Sequence, residues 1–254
     1  TGSGLQSQYR GVVCAEDYSP LCIEKTIRLR NSDEEKRLRQ VTIHLPFNDR
    51  IAALEVGVDE NDQILAPDEY SSPEKLLFYG SSITDGYCAS IPSNTYSAML
   101  CRWLDCDYQN LGFDGMAKGE TAMAEIIAKK DFSIFVMDYD HNAPTPEHLA
   151  ATHEPFFKIV RAAHPTAPVI FCSRPNFFEN PAESILRRDI ILQTYQNARK
   201  AGDENVYFVN GESYFGAFGA ECCTVDCCHP TDLGFFRMAE RIYSVVQSIL
   251  NRGR

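Results

Sequence analysis

Residues 76–86 read Leu-Leu-Phe-Tyr-Gly-Ser-Ser-Ile-Thr-Asp-Gly, and the fold class turns on them. The apolar run Leu76–Tyr79 stops at Gly80, and Ser81 and Ser82 follow at once. Thr84, Asp85 and Gly86 then precede a helical pattern that starts near Ser93. A short apolar run closed by glycine reads as a buried strand feeding a tight turn and then a helix. Open α/β sheets place their chemistry beyond the carboxyl ends of their strands. A reactive hydroxyl is therefore expected at Ser81 or Ser82, although serine is also an ordinary turn residue.

Downstream, strand and helix patterns alternate. Further strands are expected at Tyr108–Leu111, Phe132–Met137, Pro168–Cys172 and Val206–Val209. Between them, Ser93–Leu104 places Tyr96, Met99, Leu100, Trp103 and Leu104 on one helical face, with Ser93 as the N-cap. Glu120–Lys129, Pro146–Ala163, Ser184–Ala201 and Asp232–Asn251 read as helices too. Five short strands alternating with helices predict a parallel sheet covered on both faces. Right-handed crossovers then favour a three-layer α/β/α sandwich of flavodoxin-like order.

Upstream, residues 1–72 lack a helical period. Arg39–Leu45 and Ile51–Val58 alternate as β-strands, and Tyr9–Cys14 and Glu24–Arg30 do so less regularly. Acidic turns, Asn31–Lys36 and Asp59–Asp62, separate these runs. The expected division is a β-rich region at 1–72, part of a sheet or sandwich, and an α/β domain at 73–254. The loop Pro67–Pro73 joins them.

Composition bounds the partners. Hydrophobic residues make up 44% of the chain and charged residues 23%, which suits a large core and not a disordered polymer. The 24 basic and 35 acidic residues leave a net charge of −11, an argument against nucleic acid or an anionic membrane as partner. No apolar run approaches the ~20 residues of a membrane span. The N-terminus, TGSGLQSQYRG, lacks a charged-then-apolar leader and an initiating Met, so the coding sequence is expected to extend beyond it. Ten cysteines in a chain that needs no cross-links are expected to be the reduced thiols of a cytoplasmic protein. Whether the chain forms a homo-oligomer stays open.

In a doubly wound sheet the loops after the strands share one edge. Here they read Gly80-Ser81-Ser82, Asn110-Leu111-Gly112-Phe113-Asp114-Gly115, Asp138-Tyr139-Asp140-His141-Asn142 and Ser173-Arg174-Pro175. Before the last helix comes Thr224-Val225-Asp226-Cys227-Cys228-His229-Pro230. These loops hold a hydroxyl, an imidazole, a carboxylate and donors for an oxyanion. Serine needs a base to take its proton, and the base needs a third group to hold its tautomer. A turn can fold Asp226 back onto the near nitrogen of His229 and leave the far nitrogen for Ser82. Gly115 offers a backbone N–H and Asn142 an amide to a developing oxyanion. His141, beside Asn142, and Arg174, at the mouth of the fourth strand, are candidate substrate contacts, and a salt bridge from Arg174 to one of the surplus acids is an equal alternative. Cys222-Cys223 and Cys227-Cys228-His229 carry zinc-type ligands, but the two-residue gap of finger and ribbon sites is missing. No metal or other cofactor is expected.

Taken in order, these loops resemble the blocks of the SGNH (GDSL-type) hydrolases, whose marks are a Ser, a Gly, an Asn and a His. GSSIT resembles block I with Ser82 as nucleophile, NLGFDG resembles block II with Gly115, and DYDHN resembles block III with Asn142. DCCHP resembles the DxxHP of block V, with Asp226 and His229. The likeness spans roughly residues 74–250. YGSSIT, NLGFDG, DYDHNAPT and TVDCCHPTDLGF are closer still, resembling a bacterial subgroup with an N-terminal β-sandwich. Two departures stand out: Ser81 replaces the aspartate of GDS, and Ala143 follows Asn142 where aspartate is common. The first predicts an altered local hydrogen bond and not a loss of activity.

The resemblance implies a serine esterase acting on a small-molecule acyl ester, with acetyl groups on carbohydrates as the expected substrates. Three other readings stay open. An acyltransferase would use the same residues with an alcohol in place of water. A flavodoxin-like binding module would cradle a phosphate in the GSSITDG loop and leave Asp226 and His229 idle. An inactive relative would work through its β-rich region.

Overall fold

The computed structural model describes residues 11, 22–29, 37–46, 51–175 and 177–252. Strand β1, Lys75–Gly80, is buried from Leu76 to Gly80, which explains its unbroken apolar run. It pairs in parallel with β2, Asp107–Gly112, on one side and β3, Ile134–Asp138, on the other. Strands β4, Val169–Cys172, and β5, Val206–Val209, complete the sheet in the order β2-β1-β3-β4-β5. The expected flavodoxin-like order is thus observed. Gly80 lies level with Gly112 and Asp138, so the loops after β1, β2 and β3 leave the sheet along one line.

Among the described residues six α-helices follow the strands: α1 (Ser82–Asp85), α2 (Tyr96–Leu104), α3 (Thr121–Ile127), α4 (Pro146–Ala163), α5 (Pro181–Lys200) and α6 (Asp232–Arg252). Side-chain alternation splits the core into two layers. Leu76, Phe78, Ile134, Val136 and Ile170 face a layer filled by Tyr96, Leu100, Phe235, Ile242 and Val246 from α2 and α6. Leu77, Tyr79, Phe135, Met137 and Phe171 face Ile127, Phe156, Val160 and Ile191 from α3, α4 and α5. Complete burial of each such side chain stabilises by ~1.5–3 kcal/mol, so the sheet is a rigid base for its loops.

Helix ends differ from the sequence expectation where proline intervenes. Ser93 lies in a 3-10 turn begun by Pro92, and the N-cap of α2 is Thr95, whose hydroxyl accepts from Ala98 N. Helix α5 starts at Pro181, ahead of Ser184, because Asn180 caps it and proline suits the first helical position.

The expected strands at Arg39–Leu45 and Ile51–Val58 are not formed among the described residues, and 24–29 is likewise without strand. Val41, Ile43, Leu54 and Val56 are all exposed. Alternation specifies a strand only where a ladder and a face to bury accompany it, and neither is found there among the described residues. Tyr9–Cys14 lies outside the described residues except for Gly11, and Arg30 lies outside them as well. Contacts divide the chain into Thr1–Ile43 with Val58–Glu69, and His44–Gly57 with Tyr70–Arg254. Among the described residues no helix is long and apolar enough to cross a membrane, and the nine described cysteines are free.

Candidate active site

Ser82 is the first residue of the short helix α1. Ser81, in the place of the GDS aspartate, caps that helix with its hydroxyl accepting from Ile83 N at 3.2 Å. The turn is this abrupt because the strand ends carry no side chains. A Cβ on Gly80 would collide with Thr84 and the Asp138 carbonyl, and one on Gly112 with the Asp85 backbone. Asn110 ties α1 to β2: its Nδ2 donates to the Thr84 carbonyl at 2.6 Å, and its Oδ1 accepts from Gly112 N at 2.8 Å.

His229 reaches Ser82 from the other end of the chain. Its Nε2 lies 2.9 Å from Ser82 Oγ, and its Nδ1 lies 2.6 Å from Asp226 Oδ2. Asp226 is held by its own turn, since Oδ1 accepts from Cys228 N at 3.0 Å and from His229 N at 2.7 Å. Burial nudges the Asp226 carboxyl upward. The His229 side chain and the two backbone donors outweigh that and hold it down at about 2. The carboxylate is therefore charged wherever the imidazole can work.

The loop is anchored behind. Val225 N donates to the His229 carbonyl at 3.0 Å, and Thr231 N to the Cys223 carbonyl at 2.9 Å. Asp232, the first residue of α6, accepts from Ser90 N at 2.9 Å and Asn94 Nδ2 at 2.9 Å, which joins the segment after α1 to the segment after His229. Tyr87, exposed, sets its ring edge-on to the imidazole at 4.8 Å between centroids.

Gly115 and Asn142 follow the strands that flank β1. Gly115 has φ +65°, and an added Cβ would meet nothing within 4 Å. Asn142 sits in the 3-10 turn Asp140–Asn142, and its Oδ1 accepts from Ala117 N at 3.3 Å, which leaves Nδ2 as the unused end of the amide. Among the described residues, Ser82 N–H, Gly115 N–H and Asn142 Nδ2 have no acceptor. Three unspent donors thus stand at the ends of three adjacent strands.

Of the two candidate substrate contacts, His141 is sealed from solvent at Nε2 and Arg174 is engaged by neighbouring side chains. His141 Nδ1 lies 3.9 Å from Cys228 Sγ, and its Nε2 is sealed from solvent without a partner. Burial, then the Arg174 and Arg187 guanidinium groups, push its pKa down to about 3, so the ring is neutral. Arg174 spends Nε and Nη2 on Ser184 Oγ, with Glu183 at 3.7 Å from Nη1. His148, His153 and His164 hydrogen-bond Lys118 O, Thr194 Oγ1 and Ala128 O. Burial pushes the Cys228 thiol up to about 11, with Asp226 adding to it, so it is no thiolate. Among the described residues no cluster of His, Cys, Asp and Glu is arranged for a metal ion.

Residues 74–247 match the model of the GDSL-like Lipase/Acylhydrolase family. The chain belongs to this family. Among solved structures, a protein from Bacteroides ovatus ATCC 8483 assigned as a GDSL-like lipase is 32% identical, with a TM-score of 0.64. The match covers 70% of this chain and 54% of that one. The salicylyl-acyltransferase SsfX3 of a tetracycline biosynthetic pathway is 24% identical, with a TM-score of 0.62 over 72% of this chain and 57% of that one. A family two carbohydrate esterase from Clostridium thermocellum, in complex with cellohexaose, is 19% identical, with a TM-score of 0.59 over 74% of this chain and 67% of that one. The chain therefore spans little more than half the length of the first two, and the last two likenesses concern the fold. No curated protein matches the chain. The α/β architecture expected from the alternation of strands and helices is the one observed, whereas an N-terminal β-sandwich is not found among the described residues.

Proposed function

We propose that this GDSL-like family member is a serine esterase whose working groups are Ser82, His229 and Asp226. The observation that carries the reading is the unbroken line from Ser82 Oγ through the imidazole to Asp226, at 2.9 and 2.6 Å. Ser82 Oγ attacks the ester carbonyl as its proton passes to His229 Nε2. Asp226 keeps the other ring proton on Nδ1 and balances the imidazolium. Ser82 N–H, Gly115 N–H and Asn142 Nδ2–H receive the tetrahedral oxyanion. The intermediate collapses, His229 returns the proton to the departing alkoxide, and an alcohol leaves an acyl group on Ser82. Water then gives its proton to His229 and attacks the acyl carbon. Collapse of the second intermediate restores Ser82 Oγ–H and releases the carboxylic acid.

Short acyl groups, acetyl above all, on a carbohydrate are the substrates we favour. Fold relatives include carbohydrate esterases, one of them a two-domain esterase active on acetylated mannans. We assign His141 and Arg174 no direct hydrogen bond to the substrate, because His141 Nε2 is sealed from solvent and Arg174 Nε and Nη2 are already engaged. The acyltransferase SsfX3 shares the fold, so transfer to an alcohol on the same residues is the second reading. Product analysis with sugar acceptors separates it from hydrolysis. The test of the first is hydrolysis of p-nitrophenyl acetate and labelling by a fluorophosphonate. Both are expected in the wild type, and Ser82→Ala, folded as before, is expected to lose ~10³-fold or more. Turnover unchanged in Ser82→Ala refutes the assignment.

A further inference from the structure

The amide of Asn142 is only as useful as the turn that aims it, and that turn has an unusual clamp. Arg187 lies on α5 and is 3% exposed. Its Nη1 donates to the Asp140 carbonyl at 3.0 Å and to the Ala143 carbonyl at 3.1 Å, and its Nη2 donates to the Ala143 carbonyl at 3.1 Å. Nη1 also lies 3.4 Å from Asp140 Oδ1, and Nε donates to Glu183 Oε1 at 2.6 Å. One guanidinium therefore grips the carbonyls on both sides of His141-Asn142. The Asp140 side chain extends the grip, since its Oδ2 accepts from Arg174 N at 2.9 Å in the loop after β4.

A buried arginine is costly unless all its donors are used, and a purely structural site would be served as well by apolar packing. Here both Nη groups go to the first and last residues of one turn, Asp140 and Ala143, and Nε goes to Glu183. The fork reaches two carbonyls that face it from residues three apart, a geometry an ammonium cannot reproduce. Asn142 itself is fixed from inside the turn by its N–H to the Tyr139 carbonyl at 3.0 Å, and at its Oδ1 by Ala117 N. With both flanking carbonyls and the amide oxygen held, Nδ2 has one direction left.

We infer that Arg187 is a positioning residue for the oxyanion donor: it acts through Asn142 and sets the turnover rate without touching substrate. The inference rests on the esterase reading and on Asn142's part in it. Misplacing a catalytic group by about 1 Å costs up to ~10²-fold. Arg187→Lys retains one of the two grips, so we expect kcat to fall about tenfold with KM within about twofold.

A double-mutant cycle on p-nitrophenyl acetate provides the test. Asn142→Ala alone is expected to lose ~10²–10³-fold in kcat. Adding Arg187→Lys to Asn142→Ala should then cost less than about twofold, because the group it aims is gone. Losses that multiply, or an unchanged kcat in folded Arg187→Lys, overturn the inference while Ser82-dependent turnover of the wild type leaves the esterase reading standing. Absence of Ser82-dependent turnover overturns both. Should Arg187→Lys fail to fold, Glu183→Gln loosens the same guanidinium from the half-exposed end of the pair. It should lower kcat about threefold in the wild type and not at all in Asn142→Ala, and any other pattern overturns the inference.

Discussion

Replacing Asp226 by asparagine tests the site more sharply than deleting the nucleophile, because the structure dictates which way the new amide must face. Asp226 Oδ1 accepts two backbone N–H groups, from Cys228 and His229. An asparagine must keep its carbonyl oxygen there, since an NH₂ would confront two donors. Its NH₂ then occupies the position of Oδ2, 2.6 Å from His229 Nδ1 in the native chain. An NH₂ donates, so the imidazole must present a lone pair at Nδ1 and carry its proton on Nε2. That tautomer donates to Ser82 Oγ and cannot take its proton. In a buried triad the same exchange costs ~10⁴-fold in kcat. The Asp226 side chain is 48% exposed, so water competes for both partners. We expect a loss of about 10²–10³-fold, or ~3–4 kcal/mol of barrier. KM should stay within about threefold, since the loss falls on the chemical step. The assay is p-nitrophenyl acetate hydrolysis, with circular dichroism and a thermal melt to show that the loop is intact. Asp226→Asn that keeps more than about a tenth of wild-type kcat would refute the tautomer argument.

Two further outcomes follow from packing and charge. Asp138, at the end of β3, is buried, and burial pushes its carboxyl up to about 7 against hydrogen bonds from Tyr96 and Thr84. Its folded pKa thus lies above its unfolded one, so its contribution to stability is complete below about pH 4, falls as the pH rises and is gone above about 7. Asp138→Asn should flatten the decline of Tm across that window, and melts of the two proteins that run parallel from acid to neutral pH would contradict this. Gly112→Ala would press a methyl group onto the Asp85 backbone, which cannot yield as a side chain would. We expect roughly 3 kcal/mol of destabilisation and a Tm lower by about 6–12 °C, and a Tm within about 2 °C of wild type would show that α1 can shift.

The inner strands β1, β3 and β4 were legible because strands buried on both faces write themselves as apolar runs, whereas β2, at the sheet edge with Gln109 and Asn110, is not such a run. The groups that meet at Ser82 were legible for another reason. DxxHP is a turn whose carboxylate folds onto its own histidine, so the contact is local and the spacing alone encodes it. The N-terminal alternation misled because period two is only a permission: without a ladder or a buried face, Val41, Ile43 and Val56 stand exposed. The illegible part was the clamp on Asn142. The buried stripe of α5 reads Ser184, Arg187, Ile191, Thr194 and Ala198, three of them polar, and no hydropathy pattern marks it as an inward face. In hindsight the spacing is the signal, since 184, 187, 191, 194 and 198 keep the steps of three and four that a core-facing helix keeps. A charged residue on such a stripe must find several acceptors, and at the edge of an open sheet the carbonyls with no ladder to satisfy them belong to the loops that carry chemistry. The same physics that hid Arg187 from a hydrophobic reading therefore predicts where its guanidinium must go: to the turn beside the candidate oxyanion donor.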